Sequence, residues 1–97
     1  MLDVSKTDER YKVLFEPVKI GPVIAPNRFY AVPHATGHSP LMRNGSHAMR
    51  ATKAEGGWGT VCMQLAEIDP TSDICDLPIE TFWDEGDVRE HRVLTDR

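Results

Sequence analysis

The sequence predicts an α/β fold in which parallel strands alternate with helices. Two short apolar runs, at residues 28–32 and 59–68, are bounded by Pro, Gly and Asp and have the length of strands rather than helices. The polar segment between them carries helix signals, and a second helix start follows at residue 84. The order strand, helix, strand, helix predicts a right-handed βαβ unit, because parallel strands in one sheet require a crossover of about a dozen residues or more.

Composition and charge are those of an ordinary globular chain. The 97 residues suffice for one domain at most, with 40% apolar and 27% charged residues. The net charge is −4, and 11 Lys and Arg are scattered among 15 acids, so no basic stripe is present for nucleic acid. No apolar stretch approaches the roughly 20 residues of a membrane helix, and the N-terminus lacks the apolar core of a signal peptide. We therefore expect a cytoplasmic protein with neither a nucleic-acid nor a membrane partner.

The first 26 residues are interpreted as a polar tail, 1–11, followed by a hairpin over 12–26. Apolar residues in the second segment are interrupted by prolines and by a Gly-Pro pair, which is typical of two short strands joined by a turn. The first main strand follows at 28–32. It ends before Pro33, because proline has no N–H to donate to a strand ladder.

The first predicted helix follows a polar loop over residues 36–45. Ser46 is interpreted as its N-cap, residues 47–55 as its body, and Gly56 and Gly57 as its end, since glycine adopts the left-handed conformation that stops a helix. This Gly-rich segment follows a helix and precedes a strand, which is the reverse of what phosphate binding at a helix N-terminus requires. We therefore interpret it as a helix end rather than a phosphate loop.

The second main strand is predicted over residues 59–68, where a nearly continuous apolar stretch favours burial on both faces. A loop over 71–83 leads to a second helix with Asp84 as its N-cap. Further acids follow in the first turn, where the helix dipole favours negative charge, so capping explains them better than acid–base catalysis does. This helix is expected to continue to residue 97, since no stop signal follows.

The cysteines and histidines give no sign of a metal site. Cys62 and Cys75 form no CxxC pair, which favours reduced thiols over a zinc site or a disulfide. A metal cluster of His34, His38 and His47 is disfavoured, because these residues lie in and after a loop without a recognised ligand spacing. We predict no catalytic residue and no metal ligand in this chain.

Reactive groups in parallel α/β folds gather on the loops that follow the C-terminal ends of the strands. This rule places Pro33, His34 and Ala35, after the first strand, on the same face as Gln64 and Leu65, near the end of the second. From the residues alone, His34 is more simply a turn histidine, Gln64 a side chain that satisfies buried backbone, and Leu65 a core residue.

Four segments carry a resemblance to a known family. They are Leu-Phe-Glu-Pro-Val-Lys-Ile-Gly-Pro (14–22), Asn-Arg-Phe-Tyr-Ala-Val-Pro-His (27–34), Lys-Ala-Glu-Gly-Gly-Trp (53–58) and Trp-Asp-Glu-Gly-Asp-Val-Arg (83–89). Together they resemble the start of the old yellow enzyme family, NADH:flavin oxidoreductases, and most closely the branch of trimethylamine, dimethylamine and histamine dehydrogenases and related N-demethylases. The resemblance extends over residues 12–97, in order and with matching spacing.

The resemblance implies the N-terminal part of an FMN-binding (β/α)8 TIM barrel, with a hairpin that closes the bottom and the flavin across the C-terminal mouth. Residues 27–97 would form the first two β/α units. Such a barrel takes about 250 residues, so the other strands, and any cysteines that bind a 4Fe-4S cluster, would lie beyond Arg97. The implied activity is hydride transfer to flavin from a small amine, with an enone as the other substrate class, by a full-length protein that is a candidate homo-oligomer. The fragment would be inactive alone.

The resemblance also implies that Pro33, His34, Ala35, Gln64 and Leu65 contact the cofactor. A backbone N–H near residues 33–35 would stabilise charge on the reduced ring. Ala35 stands where trimethylamine dehydrogenase has a cysteine bonded to its flavin, so FMN here should be non-covalent. Leu65 stands where that enzyme has a tyrosine of an aromatic bowl that binds a cationic ammonium, which argues against trimethylamine as substrate. The alternative function is a small stand-alone binding or interaction module derived from a barrel start.

Overall fold

The computed structural model describes residues 3–38, 42–73 and 79–97, and in these ranges the chain alternates short strands with two α-helices. In chain order the elements are β1 (Val18–Ile20), β2 (Val23–Ala25), β3 (Tyr30–Ala31), α1 (Arg43–Glu55), β4 (Thr60–Val61), β5 (Ala66–Glu67), β6 (Glu80–Thr81) and α2 (Glu85–Thr95). None of the helices in the described ranges has the length and apolar content that would let it cross a membrane.

The N-terminal hairpin is present but shorter than predicted. Strands β1 and β2 pair antiparallel, with Val18 opposite Ala25 and Ile20 opposite Val23, and Gly21 supplies the positive φ of +56° that the tight turn requires. The prediction of strand structure from residue 12 was wrong, because Glu9–Phe15 form a 3-10 helix. The Asp8 carboxylate starts this helix by accepting the Arg10 N–H.

The central βαβ unit agrees with the sequence prediction. Strands β3 and β4 are parallel, with Tyr30 opposite Thr60 and Ala31 opposite Val61, and α1 forms the crossover between them. Asn27 fixes the base of this unit: its amide donates to the Gly57 carbonyl at 2.7 Å. A Cβ on Gly59 would lie 2.5 Å from the Asn27 side-chain oxygen, so only glycine fits there.

The apolar stretch over 59–68 does not form one buried strand. Its first part is β4, which pairs with β3, and its last part is β5, which pairs parallel with β6 through Ala66 opposite Glu80. Leu65 and Ile68 are 52% and 80% exposed, so the expectation of burial on both faces was wrong in this chain. The neighbouring elements in the described ranges therefore shield only some side chains of the 59–68 segment from solvent.

Both helices lie close to their predicted positions. Two of the predicted boundaries were wrong: the start of α1 and the end of α2. Helix α1 begins at Arg43, so Ser46 lies inside it and is not its N-cap; the Ser46 side chain is buried and bonds elsewhere. The end at Gly56 and Gly57 is confirmed, with Gly57 at φ +110°. Asp84 caps α2 as predicted, by accepting the Asp87 N–H at 3.1 Å.

Helix α2 ends at Thr95, so the expectation of a helix through residue 97 was wrong. Three segments, 1–2, 39–41 and 74–78, lie outside the described residues. The predictions for the first residues of the polar tail, for part of the 36–45 and 71–83 loops, and for Cys75 fall there. Cys62 is a free thiol in the structure.

The interior of the described chain is mainly polar. Its buried apolar residues are Ala25, Ala31 and Ile79. Its buried polar residues are Ser46, His47, Arg50, Gln64, Glu67, Glu80, Thr81, Asp87 and His91. Since buried polar groups are costly unless they are hydrogen-bonded or paired, the positions of their partners determine how α1, β6 and α2 pack.

Candidate functional site

The residues predicted to contact a cofactor lie at the C-terminal ends of the two central strands. Pro33, His34 and Ala35 follow β3 and are all exposed. Gln64 and Leu65 follow β4; Gln64 is buried, with 7% exposure, and Leu65 is half exposed. We call these five the strand-end residues.

Arg50 of α1 brings the two groups of strand-end residues together. Its Nη2 donates to the His34 carbonyl oxygen at 2.7 Å, and its Nε donates to the Cys62 carbonyl oxygen at 3.2 Å. These carbonyls follow β3 and β4 respectively. One planar guanidinium therefore holds the two strand ends side by side, which suits its fixed fork of donors.

Ser46 and Glu80 connect Arg50 to the second group. Arg50 Nη1 donates to Ser46 Oγ at 2.7 Å, and Ser46 Oγ donates to Glu80 Oε1 at 3.2 Å. Glu80 Oε1 also accepts from Gln64 Nε2 at 3.0 Å. The Glu80 carboxylate therefore fixes the Gln64 amide while it compensates the buried Arg50 charge.

Arg43 joins α1 to α2 on the other side of Glu80. Its guanidinium donates to Asp87 Oδ1 at 2.5 Å and to Thr81 Oγ1 at 2.6 Å, and its Nε lies 3.7 Å from Glu80 Oε2. Burial raises the pKa of Asp87, but the Trp83 N–H and the Arg43 guanidinium outweigh this effect, so the pKa is below its ordinary value. Arg43, Ser46, Arg50, Gln64, Glu80, Thr81 and Asp87 are called the polar network below.

Two histidines border the polar network. His91 Nε2 donates to the Thr81 carbonyl oxygen at 3.0 Å and its ring stacks on Phe82 with centroids 4.1 Å apart. His47 is 1% exposed, and neither ring nitrogen has a hydrogen-bond partner among the described residues. Burial lowers the pKa of His47, and the Glu80 carboxylate offsets this only in part. His47 is therefore a buried neutral ring, and among the described residues no group of His, Cys, Asp and Glu is arranged to bind a metal.

The side of β3 and β4 that carries Tyr30 and Cys62 is largely open. The Cys62 Sγ and the Tyr30 Oη are hydrogen-bonded at 2.7 Å, and the pKa of Tyr30 is raised because this bond with Cys62 favours the neutral phenol. Tyr30 and Val32 are 51% and 66% exposed. We call Tyr30, Val32 and Cys62 the open sheet face, since Tyr30 and Val32 are each more than half exposed among the described residues.

A comparison with known protein families shows which family the chain belongs to. The profile of the NADH:flavin oxidoreductase / NADH oxidase family matches residues 13–97. The chain belongs to this family. Its relatives place it in the amine dehydrogenase branch.

Known proteins resemble this chain in both sequence and structure. Dimethylamine dehydrogenase of Hyphomicrobium sp. (strain x) is 39% identical over 89 residues, or 92% of this chain. Histamine dehydrogenase from Rhizobium sp. 4-9 superposes with a TM-score of 0.85 at 42% identity over 92% of the chain. The 6-hydroxypseudooxynicotine amine oxidase from Pseudomonas geniculata N1 gives 0.81 at 42% identity over 90%.

The chain spans only a small part of these relatives. It covers 12% of the dimethylamine dehydrogenase, 14% of the histamine dehydrogenase and 13% of the amine oxidase. Its structural neighbours are TIM-barrel enzymes, so the chain forms an N-terminal part of that fold. A closed barrel of this kind has eight parallel strands.

Family membership implies a flavin cofactor, and the strand-end residues fit one. The peptide between His34 and Ala35 is exposed, and the Ala35 methyl group leaves room for a flat ring to approach it. Leu65 adds an exposed apolar surface beside the buried Gln64 amide. An exposed peptide donor, an amide and an apolar contact are the groups that the edge and face of a flavin ring require.

The polar network was missed by the sequence analysis. A weak signal for it exists: Arg43, Ser46 and Arg50 are spaced so that they share one side of α1, where an ordinary buried helix would carry large apolar residues. Glu80 gave no such signal, because it follows a loop and its burial depends on both helices. The identification of its partners required the three-dimensional arrangement.

Proposed function

We propose that the protein containing this chain is an FMN-dependent amine oxidoreductase, and that this chain supplies part of its flavin site. The observation that carries the proposal is the family match over residues 13–97, combined with strand ends that are exposed and held together by Arg50. Catalytic chemistry in this fold is located at the C-terminal ends of the strands, which is where these residues lie.

Bound FMN would supply the hydride acceptor for oxidation of the amine. The strand-end residues of this chain would bind and orient it. Ala35 would donate its backbone N–H to the ring, Gln64 would present an amide that Glu80 holds in place, and Leu65 would provide apolar contact. Fixed donors of this kind stabilise the charge that develops during the reaction, because they do not have to reorganise.

We propose a small amine as the substrate class. Three relatives are named for amine compounds: dimethylamine, histamine and 6-hydroxypseudooxynicotine. Leu65 has no π face to attract a permanent ammonium charge. The substrate would therefore be bound through apolar contacts and through an anchor outside this chain. A 4Fe-4S cluster belongs to the same proposal, with all its ligands outside residues 1–97.

The function is tested by anaerobic mixing of the full-length protein with secondary, primary and N-methyl amines. Loss of the oxidised flavin absorbance with at least one amine is expected, and iron and sulfide analysis of the same sample tests for the cluster. A full-length protein that binds FMN but is reduced only by nicotinamide nucleotides would contradict the amine proposal while retaining the flavin site.

Cofactor attachment is tested by acid precipitation. Because alanine carries no nucleophile, the yellow colour is expected to remain in the supernatant of the wild-type protein. Colour in the pellet would show a covalent bond through another residue. The Ala35→Cys variant, with Ala51→Cys on α1 as a matched control away from the strand ends, tests whether position 35 faces the flavin closely enough to form such a bond.

A further inference from the structure

The peptide that joins His34 to Ala35 has its orientation fixed by Arg50. In a trans peptide the C=O and the N–H point in opposite directions. Since Arg50 Nη2 donates to the His34 carbonyl oxygen at 2.7 Å, the N–H of Ala35 points away from Arg50 and from α1. Ala35 is exposed, so this N–H is directed out of the described chain at the strand ends.

The bond to the His34 carbonyl is charge-assisted and partly buried. Arg50 is 3% exposed. Burial lowers the pKa of Arg50 and Glu80 opposes that shift, but a guanidinium remains protonated at neutral pH in either case. A buried cation that binds one end of a peptide polarises the whole group and makes its N–H a stronger donor.

Arg50 itself has little freedom to move. Besides His34 it donates to the Cys62 carbonyl, to the Ser46 carbonyl and to Ser46 Oγ, at 3.2, 3.1 and 2.7 Å. Ser46 Oγ in turn donates to Glu80. Four bonds to three residues require the planar fork of arginine, which the single ammonium of lysine does not reproduce.

We infer that Arg50 is a positioning residue for the flavin, which aims and strengthens the Ala35 N–H as a hydrogen-bond donor to the ring. The inference rests on the proposed function, since it requires FMN at the strand-end residues. Arg50 does not touch the cofactor. Arg50 acts through the peptide group between His34 and Ala35, and its hydrogen bonds within the polar network fix the position of its guanidinium.

The test compares Arg50→Met and Arg50→Lys with the wild type, all as full-length flavoprotein. Arg92→Met is the matched control, because Arg92 is an exposed arginine on α2 whose ion pair with Asp96 is long, at 3.9 Å. Three quantities are measured: the FMN dissociation constant, the flavin midpoint potential, and the deuterium uptake of a peptide spanning residues 33–38. Circular dichroism establishes that each variant is folded.

In Arg50→Met, the affinity for reduced flavin is expected to fall about tenfold more than the affinity for oxidised flavin. A change of this size corresponds to the loss of one charge-assisted hydrogen bond. For a two-electron couple this tenfold change lowers the midpoint potential by about 30 mV. Arg50→Lys should give a smaller change of the same sign, because it keeps the charge and one donor. Residues 33–38 should exchange faster in both variants, and Arg92→Met should match the wild type in all three measurements.

Each outcome bears on a different claim. A wild-type protein that binds no FMN overturns the proposed function and the inference together. A folded Arg50→Met that binds FMN with the wild-type potential overturns the inference alone, even if its peptide exchanges faster, since a purely structural role would change only exchange and stability. If Arg50→Met does not fold, Arg50→Lys decides by the same criterion, and Ser46→Ala, which frees one of the four bonds, must show a smaller shift of the same sign.

Discussion

The polar network and the open sheet face both include residues of the β3–α1–β4 unit, but they differ in how many hydrogen bonds and ion pairs their side chains make. In the network, α1, β6 and α2 exchange hydrogen bonds and ion pairs, and Glu80 is 1% exposed. On the open face, Tyr30 and Val32 are more than half exposed. The difference indicates that residues of this chain themselves hold the strand ends in place, whereas the open sheet face leaves apolar and aromatic surface exposed among the described residues.

The largest effect is expected when the open face is left uncovered. Expressed alone, residues 1–97 should self-associate or aggregate, because Val32 on the open sheet face is 66% exposed and two further apolar residues near strand edges, Ile24 and Ile68, are 71% and 80% exposed. Light scattering after gel filtration measures this. Val32→Thr together with Ile24→Thr should reduce the association, and a wild-type monomer with a cooperative melt would favour the stand-alone module instead.

A large loss of stability is expected when the network is broken at Glu80. Glu80→Gln removes the charge that compensates Arg43 and Arg50, and breaking one partner of a buried ion pair costs about 3–5 kcal/mol. Thermal and denaturant unfolding of the full-length protein should show this loss. Glu90→Gln, at an exposed position of α2, is the control. Equal stability of the two variants would mean that the network contributes little to the fold.

A smaller effect is expected at Leu65, where the strand ends meet the proposed substrate. An aromatic ring near an ammonium contributes about 0.5–2 kcal/mol, or roughly a factor of 2–30 in binding. Leu65→Tyr should therefore raise the relative kcat/KM for trimethylamine over carboxylate-bearing N-methyl amines in that range. Leu65→Met controls for the change in shape without adding a π face. No change in the ratio would show that position 65 does not govern substrate charge.

The smallest effect is expected in the pH dependence of stability, through His47 beside the polar network. Because burial lowers the pKa of His47 below its ordinary 6.5, the unfolded chain binds this proton more readily than the folded protein. The contribution of the neutral His47 to stability should be fully present above pH 6.5. It should be lost as the pH falls from there through the lowered pKa of the folded protein. His47→Gln should flatten this part of the profile, measured by unfolding at a series of pH values, whereas His38→Gln should leave the slope in place. An unchanged slope in His47→Gln would contradict the assignment.

The sequence by itself determined the order of the hairpin, the two central strands and the two α-helices, and it located the candidate site at the strand ends; it missed β6, which lies in the loop predicted over 71–83. Local signals suffice for these: Asp84 caps α2, Gly57 ends α1 with positive φ, and Pro33 ends the first strand, since each acts on its own backbone. The motifs that resembled the old yellow enzyme family then gave the correct family. The cofactor roles of Ala35 and Leu65 remain predictions.

Only the tertiary structure decided how the helices are attached to the strands. Ser46 has the chemistry of a cap and was predicted as one, yet it lies inside α1 because its hydroxyl finds Arg50 and Glu80. The run at 59–68 was predicted as one strand, but β5 pairs with β6 instead of continuing the pairing of β4 with β3. Glu80 lies 34 residues from Ser46 and 14 residues from Ala66, its partner in β5. Side-chain hydrogen bonds and strand pairing over such distances depend on how the chain folds back, which local propensity does not encode.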